Sequence, residues 1–494
     1  MFLYSSKQMN DIDRYNEEVL GVSTVTLMGR AGKALASAVK SVAKKKIAIV
    51  CGTGNNGGDG LAAAVDLIKS SYVIDVFYID EIKSNASMYY YKQLIEYGIK
   101  PLKAVGQDFS QYDVIVDAIF GTGLKKAVDG IYKEIIQAIN QSNAYIISAD
   151  IPSGLNSDNG LIMGECVKAD VTVTFVGYKL GRFLNDGIDV CGQIVLDDLN
   201  AAILEKEKII EVPDKVVLPK RARAAHKGNF AGIKIIAGSD KMCGAAYLGL
   251  SSAKAALLSG AGLVTLAVPS SIKCAYMPRV TESMLYFLSD QNGQIVFDKA
   301  EIDILLQKAD VLIIGMGLGK SEQVKKIIDY VLKNFELTVV VDADGLNSLD
   351  LNSLQDTKSK VIITPHVGEF ARLIDKSIEE VKNDPIGLAK QFSNEYGVIT
   401  VLKSNCTVIT DGNRVLVNIT GTGAQAKGGS GDVLSGCMGA LVKILEPIDA
   451  CFVACFICGQ AAINAEHQKG SYSVLASDVI DNIPSVIKGL ISLY

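Results

Sequence analysis

The stretch C-G-T-G-N-N-G-G-D-G, Cys51 to Gly60, decides the fold of the first half of the chain. It follows an apolar run, Ile47 to Val50, and leads into a helical pattern around Leu61 to Ile68. Strand, glycine turn and helix in that order build an anion cradle. Glycines let backbone N–H groups approach closely, and the helix N-terminus adds partial positive charge. A second stretch, A-K-G-G-S-G-D-V-L-S-G, Ala426 to Gly436, does the same near the other end in a different grammar. Two unlike cradles imply two nucleotide-related sites, hence two domains and two activities.

Outward from the first cradle, strand signals recur at Val73 to Ile79, Val114 to Ala118, Tyr145 to Ala149 and Val171 to Val176, with a helical pattern at Tyr132 to Ile139. Continuous apolar strands alternating with helices mean a parallel sheet covered on both faces, a Rossmann-like three-layer arrangement. Met9 to Ala38 reads as one or two leading helices. Glu205 to Arg223 is charged, carries Pro213 and Pro219, and ends in K-R-A-R, Lys220 to Arg223. It reads as a solvated connector. The alternation restarts with strands at Ile233 to Ala237, Leu263 to Val268, Val311 to Ile314, Leu337 to Val341, Val361 to Thr364 and Ile399 to Leu402. A hairpin, Thr407 to Thr410 and Val415 to Val417, and two long apolar helices follow. The expected boundaries are 1–205 and 225–494, with 206–224 as linker.

The chain has 494 residues, 49% hydrophobic and 21% charged, and a net charge of −5 without a basic tract. Large cores are possible, and nucleic acid is not the expected partner. The apolar stretch Ile448 to Ile463 is short for a membrane span and contains Gln460, so a buried helix is expected, and no membrane. The ten cysteines are scattered. Cys455 and Cys458 form a C-x-x-C without a partner pair, and core packing outweighs a metal role. A reducing cytoplasm and no secretory leader fit this pattern.

Gly52, Gly54 and Gly57 satisfy G-x-G-x-x-G, with Asp75 or Asp80 near the next strand's end, which invites a dehydrogenase reading. Asp59 counts against it, because a carboxylate in the helix's first turn would oppose a pyrophosphate. The side-chain carbonyls of Asn55 and Asn56 suit a hard cation better. Asp117, in V-I-V-D-A-I-F-G-T-G-L, and Asp150 with Ser153, in I-I-S-A-D-I-P-S-G, end two further strands. In an open parallel sheet these ends converge on one ligand site.

These motifs, with M-x-x-x-D at Met9 to Asp13 and L-M-G-R-A-G at Leu27 to Gly32, resemble the NAD(P)H-hydrate epimerase domain. The resemblance implies substrate contacts at Asn55, Asn56, Gly57, Gly58 and Asp59. It implies more at Gly121, Thr122, Gly123, Leu124, Lys125, Lys126 and Ala127, and at Asp150. It also implies potassium at Asn56, Asp117 and Ser153. Moving one hydroxyl between ring faces needs an acid and a base but no redox partner. Asp150 is the first candidate and Lys179, in F-V-G-Y-K-L-G, the second.

In the second cradle, the Gly428 to Gly431 turn can hold a phosphoryl group while Asp432 accepts a proton from an attacking hydroxyl. This resembles the ribokinase-like α/β fold. Asp342 and Asp344 stand at another strand end, and His366 follows another in T-P-H-V-G-E-F. These motifs, with H-K-G at His226 to Gly228, A-G-S at Ala237 to Ser239 and G-M-G-L-G at Gly315 to Gly319, resemble the ADP-dependent NAD(P)H-hydrate dehydratase. The resemblance implies hydrate contacts at Gly317, His366 and Asp432. It implies nucleotide contacts at Lys403, Ser404, Asn405, Cys406, Thr407 and Gly431. Ser404 departs from the usual glycine, and Thr422 and Gln425 from the usual Asn and Met.

Taken together, the expected activity is bifunctional: epimerisation of the R and S hydrates NADHX and NADPHX, and dehydration of the S form. ADP is the expected co-substrate, with AMP and phosphate released, and magnesium on the ADP oxygens. A homo-oligomer is expected. The alternatives are a small-alcohol kinase fused to a non-catalytic dinucleotide-binding module, and an NAD dehydrogenase.

Overall fold

The computed structural model describes residues 1–42 and 46–491. Positions 492–494 of the expected second domain lie outside the described residues. Contacts divide the chain into two compact units between Ile210 and Glu211.

In the first unit, seven strands form one sheet. Its order is Leu102–Lys103, Ile74–Tyr78, Ile47–Cys51, Val114–Ala118, Tyr145–Ala149, Val171–Phe175, Gln193–Asp197, and all neighbours run parallel. The strands bury both faces, as the continuous apolar runs require. Ile47, Ile49 and Cys51 pack with the helices Thr24–Ser41 and Asn55–Lys69, while Ala48 and Val50 pack with Phe77, Phe109 and the helix Gly130–Gln141. That two-residue alternation produces the three layers. Strand order reverses between Ile47–Cys51 and Val114–Ala118. Their carboxyl ends therefore open a crevice where a ligand can enter. Gly52 sits at that junction because a Cβ there would meet the Ile119 carbonyl oxygen at 1.9 Å. The edge strand Gln193–Asp197 was not among the expected strands; its apolar run, Ile194 to Leu196, is only three residues long and largely exposed.

The second unit carries a run of nine neighbouring strands. Their order is Met284–Leu288, Leu263–Pro269, Gly232–Ile236, Val311–Ile314, Thr338–Val341, Lys360–Ile363, Ile399–Leu402, Thr407–Thr410, Val415–Asn418. The first seven are parallel, and the last two add as an antiparallel hairpin. This is the ribokinase-like arrangement expected. The edge strand Met284–Leu288 was not among the expected strands, although M-L-Y-F-L is a continuous apolar run. Helices Cys243–Leu258, Ser430–Leu441, Pro447–Lys469 and Ala476–Leu490 cover the sheet's apolar side. Pro447–Lys469 is long and apolar enough to cross a membrane, but most of it is buried inside this unit. Cys455 and Cys458 lie in that core as expected.

The connector differs from its expectation. Leu218 is buried and its N–H donates to the Leu490 carbonyl at 2.8 Å. Arg221 stacks 3.8 Å above the Phe230 ring and donates to the Gly260 carbonyl at 2.5 Å. From Glu211 onward the segment is part of the second unit, because its scattered apolar residues find a core that a charge count does not reveal.

Candidate functional sites

The crevice of the first unit holds a cleft of about 900 Å³, lined by residues from Met9 to Leu199. The helix Asn55–Lys69 begins at its wall with Gly54 as an extended cap and no side-chain cap. Its first N–H groups are therefore left for a ligand. Asn55, Asn56, Asp59, Gly121, Thr122, Gly123, Leu124, Lys125, Lys126, Asp150 and Lys179 all line the cleft. Gly57, Gly58 and Ala127 do not. Gly57 packs on the Gly52 backbone and Gly58 on Ser87 and Met28, so their missing side chains serve the turn itself.

Asp59 lies in the second turn of the helix, not the first as expected. Burial, then the nearby charges of Asp150 and Asp13, hold its carboxyl well above the usual range. That shift favours its protonated form, which repels an anion at the helix end less than a carboxylate would.

Asp150 sits in the left-handed region at φ 65°, a strained position for a residue with a side chain. Its Oδ1 accepts from the Lys179 ammonium and from the Phe175 N–H at 3.2 Å. Arg182, buried, donates from Nη2 to the Asp150 carbonyl at 2.5 Å. Lys179 also donates to Thr174 Oγ1 at 3.1 Å and the Phe175 carbonyl at 2.7 Å. Burial lowers its proton affinity, and Asp150 opposes that. Asp13 on the leading helix Ser6–Glu18 lines the same cleft. Its side chain still meets solvent, yet desolvation pushes its carboxyl up to about 6, with Lys179 opposing and Asp150 and Glu17 adding to the rise. Sequence reasoning quoted Asp13 in a motif but gave it no role. The available signal was its place one turn after the buried Met9, on the same helix face.

Asp117 is fully buried. Its carboxylate accepts from Ser153 Oγ at 2.5 Å, Ser153 N–H at 2.9 Å, Ser148 Oγ at 2.8 Å and Ile119 N–H at 3.3 Å. Burial raises its proton affinity, and these bonds counter it. Asn56 Nδ2 is buried without an acceptor. Turning that amide would present an oxygen instead. One carboxylate among neutral oxygens fits a monovalent cation. Among the described residues no group of three or more His, Cys, Asp or Glu is placed to hold a metal ion.

In the second unit, Gly429 caps the helix Ser430–Leu441 from the left-handed region, at φ 98°. Ser430 Oγ donates back to the Gln425 carbonyl at 2.8 Å and fixes the turn. Asp432 is the third residue of the helix. Burial, then the Asp342 charge, pushes its carboxyl up to about 6, against Lys403. Lys403 is not a free phosphate ligand: its ammonium is 2.9 Å from Asp342 Oδ1. It nonetheless lies at the turn, 3.2 Å from where a Gly431 Cβ would stand.

His366 caps the helix Val367–Leu373, its Nδ1 accepting from Gly368 and Glu369 N–H at 3.0 and 3.2 Å. Its Nε2 lies 3.6 Å from Glu369 Oε1. His366 pairs with Lys403 in a bridge between neighbouring strand ends. Gly317, at φ 64°, belongs to the turn after Val311–Ile314, and its carbonyl accepts from Ser239 Oγ at 2.9 Å. Ser404 and Asn405 are exposed on the loop after Lys403, and Thr407 opens the hairpin. Cys406 is buried, which pushes its thiol up to about 12, so only its backbone is available.

Two family models match the chain. One, described as YjeF-related protein N-terminus, covers residues 24–181. The other, described as NAD(P)H-hydrate dehydratase, covers 233–485. The chain is similar to a bifunctional NAD(P)H-hydrate repair enzyme of Moorella thermoacetica, 32% identical over 99% of this chain and 97% of that one. A Coxiella burnetii protein of the same name is 33% identical over 97% and 98%. Among solved structures, the second unit resembles an ADP/ATP-dependent NAD(P)H-hydrate dehydratase from Bacillus subtilis co-crystallized with ATP/Mg2+. That match has 27% identity and a TM-score of 0.47, covering 56% of this chain and 95% of that one.

Proposed function

The chain belongs to the family of bifunctional NAD(P)H-hydrate repair enzymes, and we propose how its two sites divide the work. It is an isomerase and a lyase in one chain. The first unit epimerises R and S hydrates of NADH and NADPH, and the second dehydrates the S form. Likeness over nearly the full chain favours this over a small-alcohol kinase beside a non-catalytic module.

In the first unit, the uncapped end of Asn55–Lys69 receives the substrate's pyrophosphate. Asp150 and Lys179 exchange the proton of the ring hydroxyl while the bond at that carbon opens and recloses. The raised proton affinity of Asp59 weakens its repulsion of an anion at the helix end. Asn56, Asp117 and Ser153 would hold potassium, which supplies a fixed positive charge beneath the turn. Crystals grown with rubidium should then show anomalous density among these three residues; octahedral density with bound waters would reject it.

In the second unit, hydroxide is a poor leaving group, so the hydroxyl is first phosphorylated. Asp432 takes the hydroxyl proton as its oxygen attacks the β-phosphorus of ADP, and AMP departs. The turn's N–H groups stabilise the phosphoryl group in transfer. Phosphate then leaves with its carbon–oxygen electron pair, a proton leaves the neighbouring carbon, and the ring double bond is restored. Lys403 through Thr407 and Gly431 contact the nucleotide, and Gly317 and His366 contact the hydrate. Magnesium would supply charge neutralisation to the ADP phosphates. The buried thiols suit a reducing cytoplasm.

The observation that carries this reading is Asp432, a carboxyl of raised proton affinity in the first turn of a helix opened by a glycine cradle. Purified protein mixed with ADP, magnesium and chemically prepared hydrate should show rising dihydronicotinamide absorbance. A flat trace would overturn it.

A further inference from the structure

The strand Thr338–Val341 ends on Asp342, whose carboxylate is buried. Its Oδ1 accepts from Lys403 Nζ at 2.9 Å and from the Ala343 N–H at 2.9 Å. Its Oδ2 accepts from Ser435 Oγ at 3.0 Å, and Thr364 adds a further side-chain bond. These partners come from separate strand ends and from the helix that starts at the phosphate turn. A Cβ on Gly431 would stand 3.3 Å from Asp342 Oδ2 and 3.2 Å from Lys403 Nζ. The ion pair thus lies directly against the turn.

A lysine left to itself spreads its charge over many rotamers, and fixing it costs entropy. A buried pair adds little net stability, since desolvation offsets most of the attraction. What the pair does provide is one fixed place for the ammonium. We propose that Asp342 is a positioning residue of the dehydratase site: it fixes the Lys403 ammonium against the Gly428–Gly431 turn, so that the nucleotide phosphate meets a preplaced charge. Ser435 ties the same carboxylate to the helix bearing Asp432, so phosphate ligand and proton acceptor share one rigid anchor. The proposal rests on reading Lys403 and Gly431 as nucleotide contacts.

The test uses the full-length protein and the variants Asp342→Asn, Lys403→Met and the two combined. Magnesium–ADP binding is measured by calorimetry, dehydration by absorbance, and thermal unfolding in parallel. Asp342→Asn should weaken ADP binding and slow dehydration by about 10- to 100-fold, the range for a lost charged hydrogen bond. It should also unfold at lower temperature, because it leaves an ammonium buried without its partner. The double variant removes both charges, so its unfolding temperature should recover. Its ADP affinity and dehydration should stay no better than those of Lys403→Met, because Asp342 acts through Lys403. Recovery of affinity and activity along with stability would show a purely structural role and overturn the proposal. Strictly additive effects, or wild-type protein that binds no magnesium–ADP, would overturn it as well. Wild-type protein that binds ADP yet forms no dihydronicotinamide would reject the dehydratase reading alone, and the binding arm would still decide the role of Asp342.

Discussion

Gly54 and Gly429 each cap a helix at a candidate anion site, but from opposite backbone regions, φ −98° and φ 98°. The carboxyls beside them are also placed differently. Around the first turn they stand on other elements: Asp150 follows the strand Tyr145–Ala149, and Asp13 sits on the leading helix. At the second turn, Asp432 rides on the capped helix itself. An acceptor on the helix that holds the phosphate keeps a fixed distance from it, which suits in-line transfer of a phosphoryl group. An acid and a base carried on separate walls suit a reaction in which a ring bond opens and recloses and nothing is transferred. On the proposed roles of these carboxyls, two unlike cradles serve two chemistries, and the position of the carboxyl separates them.

Replacing the carboxyl on the helix is the strongest way to break the comparison. Asp432→Asn keeps size and removes basicity, so dehydration of the S hydrate should fall by about 10⁴-fold, the upper range for a lost general base. Epimerisation should persist. Near-normal dehydration in an absorbance assay would take Asp432 out of the reaction.

The counterpart is Asp150→Asn. Epimerisation should fall by about 100-fold, seen as R hydrate persisting by chromatography while S hydrate is still consumed. The buried Lys179 also loses its partner, which should destabilise the first unit by about 3–5 kcal/mol. Loss of stability with epimerisation unchanged would make the pair structural.

A gentler perturbation is pH. A carboxyl accepts a proton only when ionised, and that of Asp432 ionises at about 6. Dehydration kcat/KM should therefore fall about tenfold per pH unit below that value, rather than below an ordinary carboxyl's 4. An acid limb near 4 would mean that Asp432 is not the titrating group.

The smallest effect tests whether the halves need each other. Each unit has its own core. Separate pieces cut between Ile210 and Glu211 should both fold. The second, with ADP, should stop with about half of a racemic hydrate left, and adding the first should carry it to completion. Consumption of both epimers by the second piece alone would assign the first another role.

Much of this was legible beforehand because the signals are local. Apolar runs became parallel strands, and glycine turns fell at their carboxyl ends. What was missed depends on distant neighbours. Asp13 was quoted but given no role, because its raised proton affinity comes from burial in the folded cleft and from Asp150, more than 130 residues away. Arg182 was not singled out, yet it is buried and holds the carbonyl of Asp150. Lys403 looked like a free cation, while its partner Asp342 lies 61 residues earlier.

The sequence by itself determined two α/β units, both cradles and the family, because periodicity, turn chemistry and motif order are properties of neighbouring residues. Only the tertiary structure decided protonation and geometry. The proton affinity of Asp59 rises because burial and the charges of Asp150 and Asp13 act on its carboxyl. His366 becomes a helix cap whose Nδ1 accepts from two backbone N–H groups and whose Nε2 faces Glu369. Proton affinity depends on desolvation and on charges brought near by folding, and neither can be read along a chain.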